Sequence, residues 1–290
     1  MATITSAGTG NSNAGGSWTG GAVPDATSDV QIQSGHTITL NAVHTWNSLD
    51  LQSGGTLDGD NQELTIDGED GGGIAVDLDG TISGTDTDIT ITTAAATDLD
   101  LECTGSIRNL TINHASCAAV LIAPASITGD LTITAGSLNT HSGDNRALTV
   151  TGDVSLANNT TLTCNASTCS FGSIDIGSSG AVLNGSSGTT TITAQEAVSG
   201  MGWENNRGAN GYVHNNGTVK FTDNASVYCK EDKFYDLEIS LSSSSLEFRW
   251  QDISGNTLTI YNNLTITSGR FKFNTAGDAI TVHGLTTVNG

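Results

Sequence analysis

Positive charge is the scarcest commodity in this 290-residue chain. Nine Lys and Arg stand against thirty Asp and Glu, for a net charge of −21, and no base precedes Arg108. Residues 1–107 hold sixteen acids; residues 108–290 hold the other fourteen and all nine bases. Such a surface repels phosphate, which excludes nucleic acid as a partner and disfavours anionic membranes. No run of about 18 apolar residues exists, so no membrane-spanning helix and no membrane insertion are expected. Only two prolines occur, and no window carries a sustained 3.6-residue apolar period. The five cysteines (Cys103, Cys117, Cys164, Cys169 and Cys229) are odd in number and form no CxxC pair. That argues against a zinc site and against a disulfide framework. The opening MATITSAGTGNSN has neither a basic nor an apolar region and so is not a secretory signal. No Gly-x-Ser-x-Gly elbow and no Gly-Lys-Ser/Thr phosphate loop is present. The six histidines share no ligand spacing.

What is abundant is Thr, Ile, Val, Ser, Asn and Asp, with 36 glycines. Regularly placed β-branched residues distinguish the chain from a disordered one and point to many short strands joined by polar turns. The strands repeat. Residues 131–152 read LTITAGSLNTHSGDNRALTVTG, and residues 264–284 read LTITSGRFKFNTAGDAITVHG, one residue shorter in the turn. Residues 49–68, LDLQSGGTLDGDNQELTIDG, follow the same plan. Leu131, Ile133, Gly136 and Leu138 therefore correspond to Leu264, Ile266, Gly269 and Phe271. Apolar residues alternate with Thr, Ser or Asp, the period of a strand with one buried face. Repetition with elastic turn lengths predicts an all-β parallel β-helix (a β-solenoid) of about a dozen coils with almost no helix. The alternative is a tandem pair of antiparallel β-sandwiches. Against it, the two-residue Asn-Gly or Asp-Gly hairpin turns that sandwiches use are scarce. Three regions are expected: an N-terminal segment and capping coil over 1–45, regular coils over 46–200, and aromatic-rich coils over 201–290. Residues 201–273 hold two of the four tryptophans, all four tyrosines and five of the six phenylalanines.

The segment SWTGGAVPDATSDVQIQSGHTITL, Ser17–Leu40, resembles the first coil of β-helical adhesin-like surface proteins, the short eight-glycine domain and phage tail-fibre, spike or decoration proteins. The matching residues are Trp18, Gly20, Gly21, Pro24, Asp29, Val30, Ile32, Gly35 and His36. Residues 211–240, GYVHNNGTVKFTDNASVYCKEDKFYDLEIS, are similar to later coils of the same adhesin-like proteins. With the repeats, the resemblance covers about half the chain. It implies architecture more than chemistry, because its residues mark folding corners. Trp18 is expected to cover the apolar end of the first coil; a sugar-stacking Trp18 is the alternative.

Candidate sites are few. The acidic run 58–70 offers Asp58, Asp60, Asn61, Asp67 and Asp70 as hard oxygen ligands for calcium. It departs from the EF-hand pattern, with Glu63 where glycine is required, and solvated turns are the competing reading. Trp203 and Glu204, with Tyr212 and Trp250, are the candidate partner-binding residues, since aromatic side chains are enriched at binding surfaces. Glu204 could also serve as one carboxyl of a glycoside-cleaving pair.

These features lead to an expected non-catalytic structural and binding protein with no obligatory cofactor. It would be a phage virion component (tail fibre, spike or capsid decoration), assembled in the host cytoplasm, that projects a β-helix toward a host-surface polysaccharide. A β-helical polysaccharide lyase or hydrolase and an extracellular bacterial adhesin fragment are the alternatives. The sequence stops at AITVHGLTTVNG, inside a repeat that runs on elsewhere. A continuing chain, other virion proteins or a threefold homo-oligomer is expected to cover the last coil, because open strand edges aggregate.

Overall fold

The computed structural model describes residues 1–84, 86–197, 199–251 and 257–289. It is a parallel β-solenoid of about 13 turns with essentially no helix. The only helical pieces among the described residues are two three-residue 3₁₀ turns, Gly15–Ser17 and Thr19–Gly21. The sandwich alternative is thereby set aside, since every strand-to-strand pairing described is parallel. Two compact units, Met1–Asn139 and Thr140–Gly290, each follow this plan.

In the first unit each coil carries up to three short strands, and each strand pairs with its counterpart one coil on. One file runs through Ala2–Thr5, Ser28–Ile32, Ser48–Leu51, Ile74–Leu78 and Ala96–Asp100. A second stacks Gly10–Asn11, Thr37–Thr39, Thr56–Asp58 and Thr81–Ser83. The third stacks His44–Trp46, Glu63–Ile66, Asp88–Ile91 and the start of Asn109–Leu121. Register is strict because a one-residue slip would turn every apolar side chain outward. Val30, Leu49, Val76, Leu99 and Leu121 consequently lie one above another in the core. Each such aliphatic side chain contributes about 1.5–3 kcal/mol by leaving water.

The second unit uses the same parity with larger side chains. Phe171, Ile192, Phe221, Ile239 and Ile266 form one stack. Trp203, Cys229, Trp250 and Phe273 form another. Cys229 sits between two indoles, a small side chain between large ones that lets successive layers interdigitate. Trp203 and Trp250 both have zero exposure.

The opening motif does folding work. Trp18 is 1% exposed, donates its indole N–H to the Ser12 carbonyl at 2.8 Å and meets Trp46 edge-on at 6.0 Å. It covers the first coil and is not open to a sugar. The Ser6 hydroxyl lies 2.7 Å from His36 Nδ1, and the Ser12 hydroxyl 2.7 Å from His44 Nε2. Corners that need a left-handed backbone are filled by Asn as well as Gly: Asn61, Asn145, Asn159, Asn165, Asn215 and Asn216 all have positive φ.

Gly136, the invariant corner of the repeat, shows what such a position demands. Its φ is +89°, its counterpart Gly269 has +99°, and a Cβ at Gly136 would lie 2.5 Å from the His114 carbonyl oxygen. Gly136→Ala is expected to destabilise the first unit by about 2–4 kcal/mol, combining a strained φ with a backbone collision. Chemical denaturation would measure it, and a loss well under 1 kcal/mol would show that the corner can open at little cost.

Candidate functional site

Because inward positions are filled by core, chemistry is confined to the outward files and to polar groups trapped inside. The calcium candidates are spread out. Asp58 ends a strand on the second face, where its carboxylate lies 3.5 Å from the Thr39 hydroxyl. Asp60 and Asn61 form a left-handed corner; Asn61 accepts from the Arg108 guanidinium at 3.1 Å. Asp67, beyond the strand Glu63–Ile66, accepts from the Thr92 hydroxyl at 2.9 Å. Asp70 accepts the backbone N–H groups of Gly72 and Ile74 at 2.7 and 3.0 Å and thereby shapes its own turn. The four-residue strand in the middle of the run spans roughly 13 Å, which separates its two ends. Among the described residues no three His, Cys, Asp or Glu gather where one ion could be held.

A different acidic feature emerges from register. Gln31, Asp50, Asp77 and Asp100 occupy successive coils of one outward file. Gln31 donates to Asp50 at 2.7 Å. Partial burial, followed by the charges of Asp79, Asp100, Asp50 and Asp70, raises the Asp77 carboxyl to about 6. Asp50 and Asp77 help line a groove of about 250 Å³ that also includes Thr3, Asp29, Ser48 and Asp70.

The second unit has a groove of about 320 Å³, lined among others by Asp153, Asp175, Glu196 and Glu204. Asp175, Glu204 and Lys230 follow one another in register. Partial burial and then the Glu204 charge push the Asp175 carboxyl upward, against a 3.0 Å hydrogen bond from Asn206. Glu204 is held by Lys230 at 3.4 Å.

Of the four binding candidates, only Glu204 faces this groove. Trp203 points the other way from the same strand and packs edge-on against Tyr212 at 4.8 Å and Phe234 at 5.6 Å. Tyr212 is 2% exposed. Trp203, Tyr212 and Trp250 are core residues, a correction to their expected role as contact residues. Strand parity is the reason: adjacent residues face opposite sides, so an outward Glu204 requires an inward Trp203.

The outward aromatics are others. Tyr235 and Tyr261 follow the buried Phe234 and Ile260, and His283 follows Val282. The 214 ring lies 5.5 Å from that of Tyr235 and 5.1 Å from that of Tyr261, and Tyr261 lies 6.0 Å from His283. The recurring apolar–aromatic pair at a strand end (Phe-Tyr, Ile-Tyr, Val-His) is the sequence signal for them.

One trapped acid remains. Glu231 has zero exposure, and its carboxylate accepts from Trp203 Nε1 at 3.2 Å, Asn205 Nδ2 at 2.9 Å and the Asp232 N–H at 3.0 Å. Its own carbonyl receives the Trp250 indole N–H. Burial outweighs these donors and raises its pKa to about 7. The chain matches no protein-family model, no curated protein and no solved structure.

A carboxyl whose folded pKa lies above its unfolded value stabilises the fold least when ionised. Its penalty is absent below about pH 4.5 and complete above about pH 7, an effect on the order of 3 kcal/mol. Denaturation of wild type and Glu231→Gln across pH 5–8 should therefore show the variant gaining on wild type as pH rises. Parallel curves would mean that Glu231 ionises in the core without cost.

Proposed function

We propose that this chain is a non-catalytic structural and binding solenoid, a phage virion component such as a tail fibre, spike or capsid decoration, that presents its coils to a host-surface glycan. One observation carries the reading: within each unit the outward positions form in-register files of short polar side chains on a continuous parallel ladder. Such a surface repeats at about 4.8 Å per coil and is rigid, which suits an extended, hydroxyl-rich partner and a mechanical role. The resemblance of Ser17–Leu40 to virion and adhesin-like coils supports the same assignment.

The Asp175 and Glu204 pair favours a second reading, polysaccharide cleavage. Two carboxyls in register, Asp175 raised by partial burial and Glu204 paired with Lys230, have the form of an acid and its partner. The two readings separate in one assay. The full chain incubated with host capsular polysaccharide should bind it and release no reducing ends and no unsaturated uronate. Cleavage products that disappear in Asp175→Asn would replace the binding reading with the enzymatic one.

A further inference from the structure

We propose that the outward rings of residues 214, 235, 261 and 283 form a stacking platform for an uncharged glycan, a site within the second unit that rests on the glycan-binding reading above. Three of the four are placed by backbone register. Lys233–Phe234 pairs with Thr259–Ile260, and Thr257–Ile260 pairs with Ala279–Val282. The next residue of each strand is therefore Tyr235, Tyr261 and His283. The ladder continues through them: Asn262 N–H donates to the Tyr235 carbonyl at 2.8 Å, and His283 N–H to the Ile260 carbonyl at 3.0 Å. His214, just past the strand Tyr212–Val213, closes the cluster from the neighbouring coil.

The geometry leaves ring faces available. Tyr261 and His283 are nearly parallel, 10° apart, yet their centroids are separated by 6.0 Å. Close face-to-face contact needs only about 3.5–4 Å, so the two rings are not tightly stacked on each other. Tyr261 is 48% exposed. On a surface otherwise made of Thr, Ser, Asn and Asp, this is an unusual concentration of aromatic area. An electron-rich ring face attracts positively polarised C–H groups, as it attracts cations. A pyranose ring presents such groups on one side and hydroxyls at its rim.

Local charge selects the class of glycan. Lys233 turns its ammonium to the Ala209 carbonyl at 2.6 Å. The Asp236 carboxylate accepts from Asn262 Nδ2 at 2.9 Å and from the Asn263 N–H at 2.8 Å. Burial, and then Lys233, lowers the His214 pKa and so disfavours a charged imidazolium there. With these charged groups engaged and fourteen acids against nine bases over residues 108–290, a uronate or sialate would be repelled while a neutral hexose chain would not.

The full chain would be applied to a printed array of neutral and acid-bearing oligosaccharides, and the best neutral ligand titrated against variants. Wild type should prefer neutral structures. Tyr261→Ala should lose about tenfold or more in affinity at an unchanged thermal midpoint, whereas Tyr261→Phe should stay within about threefold. In wild type alone, saturating the tyrosine ring protons should transfer magnetisation to the sugar C–H protons. Wild type binding neutral glycans with Tyr261→Ala unaffected, or with no such transfer, overturns the platform and leaves the glycan reading standing. Binding restricted to acidic glycans overturns the choice of ligand. No binding to any glycan overturns both.

Discussion

The parallel backbone ladder is the constraint from which the other features follow. A strand in this protein pairs with its equivalent one coil later, so N–H and C=O groups are satisfied only if consecutive coils present strands at matching positions. That requirement tolerates length changes at corners, where Gly and Asn adopt positive φ. It does not tolerate changes of parity. A residue's side is fixed by its register, and its neighbours above and below are fixed by the same register in the adjacent coils. Core and surface are therefore both built as stacks: Val30 to Leu121 inside the first unit, Gln31 to Asp100 outside it.

Stacking has opposite consequences for apolar and charged residues. Like aliphatic groups in register reinforce each other by close contact, whereas like charges in register repel at the spacing of the ladder. In the Asp50–Asp77–Asp100 file, the charges of Asp100 and Asp50 add to partial burial and to the adjacent Asp79 in raising the Asp77 carboxyl. The second unit relieves a similar file by following its acids with a base, Lys230 one coil beyond Glu204. The absence of Lys and Arg before Arg108 means that the first unit has no side-chain cation to place in its file up to Asp100. Gln31, donating to Asp50, is the neutral substitute available.

The fold was legible because alternation, repetition and scarce helix signals are all carried by local sequence. Leu131, Ile133 and Gly136 match Leu264, Ile266 and Gly269 in the sequence alone, and they occupy equivalent strand and corner positions. The surface was less legible. Residue type suggested Trp203, Tyr212 and Trp250 as contacts, and composition alone could not tell an inward from an outward aromatic. Only the parity of each strand could, and parity depends on where a corner resets the count. The acidic run 58–70 is dispersed for a related reason: acids close in sequence are carried apart by an intervening strand. Asp50, Asp77 and Asp100, separated by more than twenty residues each, were brought into one file.

Glu231 shows what the same architecture permits inside. A coil's core is narrow, so a carboxyl placed there cannot reach solvent and must be satisfied by its neighbours in adjacent layers. Trp203 and Asn205 from the preceding coil supply N–H donors, and the chain's own Asp232 N–H completes the set. The Trp250 indole from the following coil is committed to the Glu231 carbonyl. The two buried tryptophans thus do more than fill volume: each has a polar edge fixed to residue 231, which sets the height of one coil against the next. An indole released from that role would leave a buried N–H without a partner, at a cost of about 1–3 kcal/mol. The indoles of the second unit therefore lie inside with their N–H groups paired, while the rings of Tyr235, Tyr261, His214 and His283, whose polar atoms water can satisfy, lie toward the surface.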